Sequence, residues 1–214
     1  MIAIAMTQRL VENELYAETR DALDVRWANF CRQLGVLPII LPTAYDFHAY
    51  FESIDIRGII LTGGNDLARF SRNHSSMLRD TFEKSLLQFA LERVIPVFAV
   101  CRGMQLVADY FGAGIEQVVG HARSRHALVV GESSANGSFL DELTVVNSYH
   151  SYGFYEAPKG FDVIARASDG VIEAMQHCHH KIFCQMWHPE REQCIASGER
   201  NMLNILFNLP EGDA

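Results

Sequence analysis

The sequence predicts an α/β fold: one domain over residues 1–214, with a mostly parallel central sheet flanked by helices and a smaller antiparallel portion toward the C terminus. Three observations carry this prediction. Helical and strand patterns alternate along the chain, without a linker or an internal repeat. Short apolar runs such as residues 95–100 are typical of buried parallel strands. From Ile115 onward, shorter strand patterns follow one another.

The elements are justified by their hydrophobic periodicity and their terminating residues. Residues 80–92 place Phe82, Leu86, Leu87, Ala90 and Leu91 on one side of a helix. A polar loop is predicted over residues 7–14. Predicted strands are 2–6, 36–41, 57–61, 95–100, 127–130, 144–146, 163–167, 171–175 and 182–187; predicted helices are 19–34, 47–51, 80–92, 104–111 and 198–207.

Composition bounds the function classes. The chain has 214 residues, 49% of them hydrophobic, enough for one well-buried core. A formal net charge of -8 argues against a nucleic-acid groove, and no apolar run approaches the roughly 20 residues of a membrane span. The five cysteines are odd in number and without framework spacing, and the first residues do not resemble a signal peptide. We therefore expect a cytoplasmic protein with a small-molecule substrate.

Cys101 is the first candidate for chemistry. It lies between the predicted strand 95–100 and the predicted helix 104–111, on the sharp turn called a nucleophile elbow. Such a turn demands small residues two positions before and after, and these are Ala99 and Gly103. The helix N-terminus favours a thiolate. An inert, buried cysteine is the alternative.

His188 and Glu190 are the second candidate. They follow the predicted strand 182–187, and Pro189 between them favours extended chain, in which alternate residues face the same side. Glu190 would then orient one nitrogen of the His188 ring while the other reaches a nucleophile. Nucleophile, base and orienting carboxylate are the parts of an acyl-transfer site.

These residues together resemble the class I glutamine amidotransferase superfamily, which has a flavodoxin-like fold. The resemblance rests on Cys101-Arg102-Gly103-Met104-Gln105, a Gly63-Gly64 loop after an earlier strand, and Trp187-His188-Pro189-Glu190, in the family's order. Arg102 and the segment 146–150 make the chain more similar to the stand-alone γ-glutamyl hydrolase branch, which is peptidase C26-like.

The resemblance implies a hydrolase that releases L-glutamate through a γ-glutamyl thioester, without a cofactor or a metal. Cys101, His188 and Glu190 would be its catalytic triad. The backbone N–H groups of Arg102 and Gly64 would form the oxyanion hole. The resemblance assigns the glutamyl group to Gln105, Ser148, Tyr149 and His150.

The leaving group is predicted from a narrower resemblance. Residues 7–10 and the arginines after them resemble small members that hydrolyse a γ-glutamyl-CDP-amidate, giving cytidine diphosphoramidate for surface polysaccharide. Arg9 and Arg26 would meet the phosphates, since arginine suits bidentate phosphate contacts. Solvent-exposed arginines are the alternative. Asp66 is a further candidate, as the partner of a substrate ammonium.

Other functions remain open at this point. The same triad would serve a γ-glutamyl-γ-aminobutyrate-type hydrolase, or a glutaminase subunit that delivers ammonia to a partner synthase. A non-catalytic regulatory protein or a redox sensor at Cys101 are further alternatives. Residues 177–180, His-Cys-His-His, suggest a metal site, but they fall between two strand patterns and predict a hairpin turn instead.

Overall fold

The computed structural model describes residues 1–130 and 143–210. Within them no helix has both the length and the apolar character needed to cross a bilayer. The strands are β1 Ala3–Met6, β2 Arg9–Asn13, β3 Glu18–Ala22, β4 Leu37–Ile40, β5 Ile56–Leu61, β6 Val97–Val100, β7 Glu116–Gln117, β8 Ala122–Val130, β9 Val145–Tyr149, β10 Tyr152–Gly153, β11 Phe161–Ala167, β12 Ile172–His177 and β13 Ile182–Gln185. The helices are α1 Arg26–Leu34, α2 His48–Ser53, α3 Ala68–Ser71, α4 His74–Arg93, α5 Arg102–Tyr110 and α6 Ser197–Phe207, with a 3₁₀ turn at Pro189–Arg191.

A nine-stranded sheet organises the molecule, in the order β4-β1-β5-β6-β13-β12-β11-β8-β9. The strands from β4 to β13 are parallel to one another, and those from β13 to β9 are antiparallel. This confirms the predicted fold class, including the antiparallel portion. The carboxyl ends of β1, β5, β6 and β13 meet at one edge, where α/β sheets carry their ligand sites.

Helices cover both faces of the parallel portion. Successive strand residues point to opposite faces, so Ile4 packs with Phe30 of α1 and Leu203 of α6, whereas Ala5 belongs to the cluster that includes Leu86 of α4 and Val107 of α5. The predicted apolar side of α4 is confirmed: Phe82, Leu86, Leu87 and Ala90 are buried, and Leu91 packs against them half-buried.

The N-terminal segment differs from the prediction. The expected loop at 7–14 and the first part of the expected helix at 19–34 form the antiparallel hairpin β2–β3 instead. The side-chain amide of Asn65 donates to the carbonyl of Leu10 and accepts from its N–H, both at 2.9 Å. Thr43 donates through its N–H and its hydroxyl to Asp21. Partners so distant along the chain leave no local signal, so the hairpin could not be predicted.

Candidate active site

Cys101 occupies a strained turn between β6 and α5. Its backbone has φ 51° and ψ -105°, a region that non-glycine residues rarely adopt. The Cys101 N–H donates to the Gln185 carbonyl at 2.8 Å, which ties the turn to β13. Strain of this kind costs on the order of 1–3 kcal/mol and persists only where the surrounding structure imposes it. The predicted sharp turn between strand and helix is present at Cys101.

Close packing explains the small residue at position 103. A Cβ built on Gly103 would overlap the carbonyl oxygen of Leu61, at the end of neighbouring β5. Ala99 is fully buried in β6, between Leu61 and Cys184 of the adjacent strands. A larger residue at either place would push the turn away from the sheet.

His188 contacts both Cys101 and Glu190. Its Nδ1 lies 2.7 Å from Glu190 Oε1, which leaves Nε2 as the nitrogen available to the Cys101 sulfur. All three side chains are at least nine-tenths buried. The predicted meeting of His188 and Glu190 is therefore observed, but the expected extended chain is wrong. Pro189 begins a 3₁₀ turn, because its fixed φ suits the first position of a helix.

The electrostatic surroundings keep the His188 ring charged. Burial disfavours the imidazolium, but the charges and hydrogen bonds of Cys101 and Glu190 outweigh it and raise the pKa of His188 to about 10. The ring therefore carries its proton at neutral pH, between the Glu190 carboxylate and the Cys101 sulfur.

Asn147, on β9, fixes the backbone of His188. Its Nδ2 donates to the His188 carbonyl at 2.8 Å, and its Oδ1 accepts from the His188 N–H at 2.9 Å. The same Nδ2 lies 2.7 Å from Glu192 Oε1. Asn147 belongs to the segment 146–150, whose sequence pattern predicted no role for this residue. Only the antiparallel strands bring it to His188, 41 positions along the chain.

The glycine loop after β5 approaches the same ring. A Cβ on Gly63 would lie 2.6 Å from His188 Cε1, and Gly64 has φ +99°. Both glycines are therefore needed. Buried Arg79 holds this loop by donating to the Thr62 carbonyl at 2.8 Å and to the Gly63 carbonyl at 3.0 Å.

The Arg102 side chain points away from the site into a buried ionic network. It pairs with Asp80 and Glu83, and Glu83 also accepts from Arg79 at 2.9 Å. Burial favours the protonated carboxyl of Glu83, but the two guanidinium groups outweigh it and lower the pKa. The two guanidinium groups of the network balance the charges of its two carboxylates. Consequently only the backbone of Arg102 is available at the elbow.

A cleft of about 440 Å³ opens above Cys101. Of the residues predicted to bind substrate, Gly64, Arg102, Gln105, Tyr149 and His150 line it, and so does Asp66. The side-chain amide of Gln105 donates to the Tyr152 carbonyl at 2.8 Å, and the Tyr149 ring stands edge-on to His188.

Two predicted residues lie elsewhere. Ser148 is fully buried, and its hydroxyl donates to the His121 carbonyl at 2.6 Å behind the cleft wall, because alternation along β9 turns it away from the cleft. Arg26 begins α1 as an exposed side chain 3.7 Å from Asp24 and is not part of the cleft lining. Contrary to the prediction, neither residue lines this cleft.

Besides Arg102, whose side chain is held in the ionic network, three arginines line the cleft: Arg9, Arg123 and Arg191. The hairpin β2–β3 brings Arg9 beside Gly64. A Cβ built on Gly64 would lie 2.9 Å from the Arg9 Cβ. Arg191 stacks 4.0 Å above the Tyr149 ring. Arg9 was predicted to be here. Arg123 and Arg191 were missed, because each follows a turn whose direction only the folded sheet fixes.

Comparison with known proteins gives the family. Residues 1–190 match peptidase C26. The chain belongs to this family. A relative named gamma-glutamyl-CDP-amidate hydrolase, from Campylobacter jejuni, is 34% identical over 88% of this chain and 90% of its own length. The gamma-glutamyl-gamma-aminobutyrate hydrolase of Escherichia coli O157:H7 is 27% identical over 92% of this chain and 88% of its own length.

The fold is also shared with a solved glutamine amidotransferase from Thermotoga maritima, at a TM-score of 0.63 and 14% identity, covering 97% of this chain and 94% of that one. The predicted class I glutamine amidotransferase fold is thereby confirmed. In this peptidase C26 chain, the supports of the site that sequence analysis missed are Asn65, Arg79 and Asn147.

Proposed function

We propose that this chain is a cysteine-dependent hydrolase of γ-glutamyl amides that releases L-glutamate. One observation carries the proposal: a strained cysteine on an elbow contacts a buried histidine whose other nitrogen is 2.7 Å from a carboxylate. In this proposal Cys101 is the nucleophile, His188 the acid and base, and Glu190 the group that orients the ring. The names of the peptidase C26 relatives agree with this reaction class.

The chemistry proceeds in two halves. The Cys101 thiolate attacks the γ-carbonyl carbon and forms a C–S bond. His188 then gives its proton to the departing nitrogen as the C–N bond breaks, leaving a γ-glutamyl thioester and a free amine or amidate. Next, water attacks the thioester carbon and gives a proton to His188. The C–S bond breaks, glutamate leaves and the thiolate returns.

The oxyanion would be stabilised by the N–H groups of Arg102 and Gly64. Both residues line the cleft beside Cys101, and Arg102 opens α5 with its side chain held elsewhere. Glycine at 64 lets the backbone approach the reacting carbon without a Cβ. Donors preorganised at such a place typically contribute 10²- to 10³-fold in rate each.

For the leaving group we propose a nucleotide phosphoramidate, with γ-glutamyl-CDP-amidate as the substrate and cytidine diphosphoramidate as the second product. Arg9, Arg123 and Arg191 line the cleft that the leaving group would occupy, and guanidinium groups suit phosphate oxygens. The Campylobacter jejuni relative carries that substrate in its name. Phosphoramidate for surface polysaccharide would be the downstream use.

A γ-glutamyl-γ-aminobutyrate substrate is the second candidate. The Escherichia coli relative supports it, and the carboxylate of that leaving group would also pair with an arginine of the cleft. The γ-aminobutyrate leaving group carries one carboxylate, whereas the nucleotide leaving group carries two phosphates. The two candidates therefore differ in how strongly they depend on the arginines.

Glutamate release from three substrates tests the proposal: glutamine, γ-glutamyl-γ-aminobutyrate and γ-glutamyl-CDP-amidate. We expect the wild type to prefer the nucleotide and Cys101→Ala to release no glutamate. Turnover of γ-glutamyl-γ-aminobutyrate alone would mean that the leaving group is γ-aminobutyrate and not the nucleotide amidate. Absence of release from all three would refute the stand-alone hydrolase and favour a glutaminase that needs a partner.

Arginine variants separate the leaving group from the chemistry. Arg9→Ala and Arg123→Ala should lower kcat/KM for the nucleotide substrate by roughly 10- to 100-fold, because each removes a charge-assisted contact. Arg57→Ala is the control, since Arg57 is exposed and paired with Asp55 at the start of β5, the end of that strand opposite the glycine loop. If kcat/KM of Arg9→Ala and Arg123→Ala equalled that of the Arg57→Ala control, phosphate contacts by Arg9 and Arg123 would be excluded.

A further inference from the structure

Four side chains outside the proposed triad, three of them buried and one half-buried, converge on one point behind the cleft. They are His121, just before β8; His126, on β8; His150, just after β9; and Glu173, on β12. One ligand atom from each lies within 4.8 Å of every other. His121, His150 and Glu173 are at most 3% exposed, and His126 is half-buried.

Glu173 lies at the spacing of metal ligands from each of the three rings. Glu173 Oε1 lies 3.2 Å from His121 Nδ1, 3.3 Å from His150 Nε2 and 3.5 Å from His126 Nε2. A tetrahedral ion with bonds of roughly 2.0–2.1 Å places neighbouring ligand atoms about 3.3 Å apart. The carboxylate is therefore already at the ligand-to-ligand distance from all three rings.

Partners on the outer side of two rings determine which nitrogens carry hydrogen. His121 Nε2 lies 2.9 Å from Asp169 Oδ2, and His150 Nδ1 lies 3.0 Å from the Tyr152 carbonyl. Carboxylate and carbonyl oxygens accept only, so these outer nitrogens carry the N–H. In a neutral ring the other nitrogen, which faces inward, carries a lone pair directed at the Glu173 carboxylate. Outer acceptors of this kind orient histidines that bind metals.

Lone pairs on the inner ring nitrogens and on the Glu173 oxygens face one another and repel. A positive charge between them would remove this repulsion. In the described part of the chain, the inner nitrogens of all three rings and both Glu173 oxygens make no hydrogen bond of good geometry. Protonating the rings would supply charge, but the ring centroids of His121 and His150 are only 4.7 Å apart, so two imidazolium ions would repel each other. A single cation satisfies all four side chains.

We propose that His121, His126, His150 and Glu173 bind one divalent transition-metal ion, with Zn²⁺ as the first candidate. Three neutral imidazoles and one carboxylate are donors that Zn²⁺ prefers, and four protein ligands fill a tetrahedral shell. With its shell filled by protein, the ion is structural. It joins β8, β9 and β12, which are far apart in sequence.

The site lies at the wall of the cleft. His150 itself lines the cleft, and Ala122 and Arg123, which also line it, directly follow His121. The bound ion would therefore hold this wall, including one of the arginines proposed for the leaving group. That consequence follows from the fold and does not depend on the proposed reaction.

Metal content and thermal stability test the site. Untagged protein is analysed for metals, stripped with a chelator, and titrated with Zn²⁺, Mn²⁺ and Fe²⁺ while the Tm is followed. We expect one ion per chain and a Tm that falls on stripping and recovers on addition, because a ligand bound only by the folded state stabilises it. Absence of a bound ion, with no Tm response to any of the three metals, would overturn the proposal.

Variants locate the ion. Glu173→Gln and His126→Ala should each weaken binding by at least roughly 10-fold. The matched control is the double variant His179→Ala with His180→Ala, in the β12–β13 turn, which should bind like the wild type. Binding lost in the control and kept in Glu173→Gln would place the ion at the turn and refute the site. Circular dichroism checks folding, and if both ligand variants are unfolded the wild-type titration decides alone.

Discussion

The charge of His188 shows how one residue depends on its neighbours. The isolated side chain has a pKa near 6.5, and burial alone would lower it. The Cys101 sulfur on one side and the Glu190 carboxylate on the other reverse the direction. The three residues could be predicted to meet, because the strand-turn-helix pattern and the His-Pro-Glu spacing are local signals.

The first prediction at this scale concerns that charge. Cys101→Ala removes one of the two groups that raise the pKa of His188, so this pKa should fall from about 10 toward its ordinary value. NMR titration of the histidine rings measures it. Cys178→Ala is the control, since Cys178 is exposed in the β12–β13 turn. An identical His188 titration in wild type and Cys101→Ala would mean that the sulfur does not contribute.

At the scale of elements, the turn between β6 and α5 depends on how closely the helix approaches the sheet. Gly103 lies against the Leu61 carbonyl at the end of β5, and this contact allows Cys101 to adopt its positive φ. The requirement for a small residue was predictable, because any elbow has it. Which backbone atom Gly103 meets was not predictable, since Leu61, the last residue of β5, lies 42 positions before Gly103.

Gly103→Ala should therefore lower the free energy of unfolding by roughly 1–3 kcal/mol or more, as overpacking between backbone elements does, and should also displace Cys101 and reduce turnover. Gly114→Ala is the matched control, because a Cβ there meets nothing within 4 Å and the residue lacks a positive φ. Chemical denaturation and glutamate release measure both variants. Equal stability of the two would contradict the packing argument.

The turn at residues 177–180 and the N-terminal hairpin show which connections between strands a local sequence pattern can predict. The turn at residues 177–180 was predicted correctly, and in it His177 Nδ1 accepts from the N–H groups of His179 and His180, both at 3.0 Å. The hairpin β2–β3 was predicted as loop and helix. Its strands are largely exposed, so they lack the alternation of apolar residues that marks a half-buried strand.

At the scale of the whole molecule, the parallel sheet and the last helix meet at a buried carboxyl group. Glu199 of α6 accepts from Gln185 Nε2 at 2.7 Å and from Trp187 Nε1 at 3.1 Å. Burial raises the pKa of Glu199 to about 7, despite these two donors, and the charges of Glu190 and Glu192 add to the increase. The group therefore links global stability to pH.

The sign of this link follows from the two states. The unfolded chain releases the Glu199 proton near pH 4.5 and the folded chain near 7, so its contribution to stability is full below 4.5 and is lost as pH rises through 7. At pH 8 the ionised group costs on the order of 3 kcal/mol. Glu199→Gln should thus match the wild type near pH 5 and exceed it at pH 8.

Denaturation at pH 5 and pH 8 measures this difference. The control is Glu52→Gln, because Glu52 is exposed on α2 and should give the same difference from wild type at both values. A Glu199→Gln variant whose advantage does not grow with pH would show that the buried carboxyl is ionised at neither value or at both.

The sequence by itself determined the fold class, the elbow and the residues proposed as the triad, because each depends on periodicity or on spacing within a few residues. Tertiary structure decided what surrounds them. It selected Arg123 and Arg191 for the cleft, excluded Arg26 and Ser148 from its lining, and supplied Arg79 and Asn147 as supports. The histidine and glutamate cluster behind the cleft also belongs to this second group, since strands β8, β9 and β12 bring its members together only when the sheet forms.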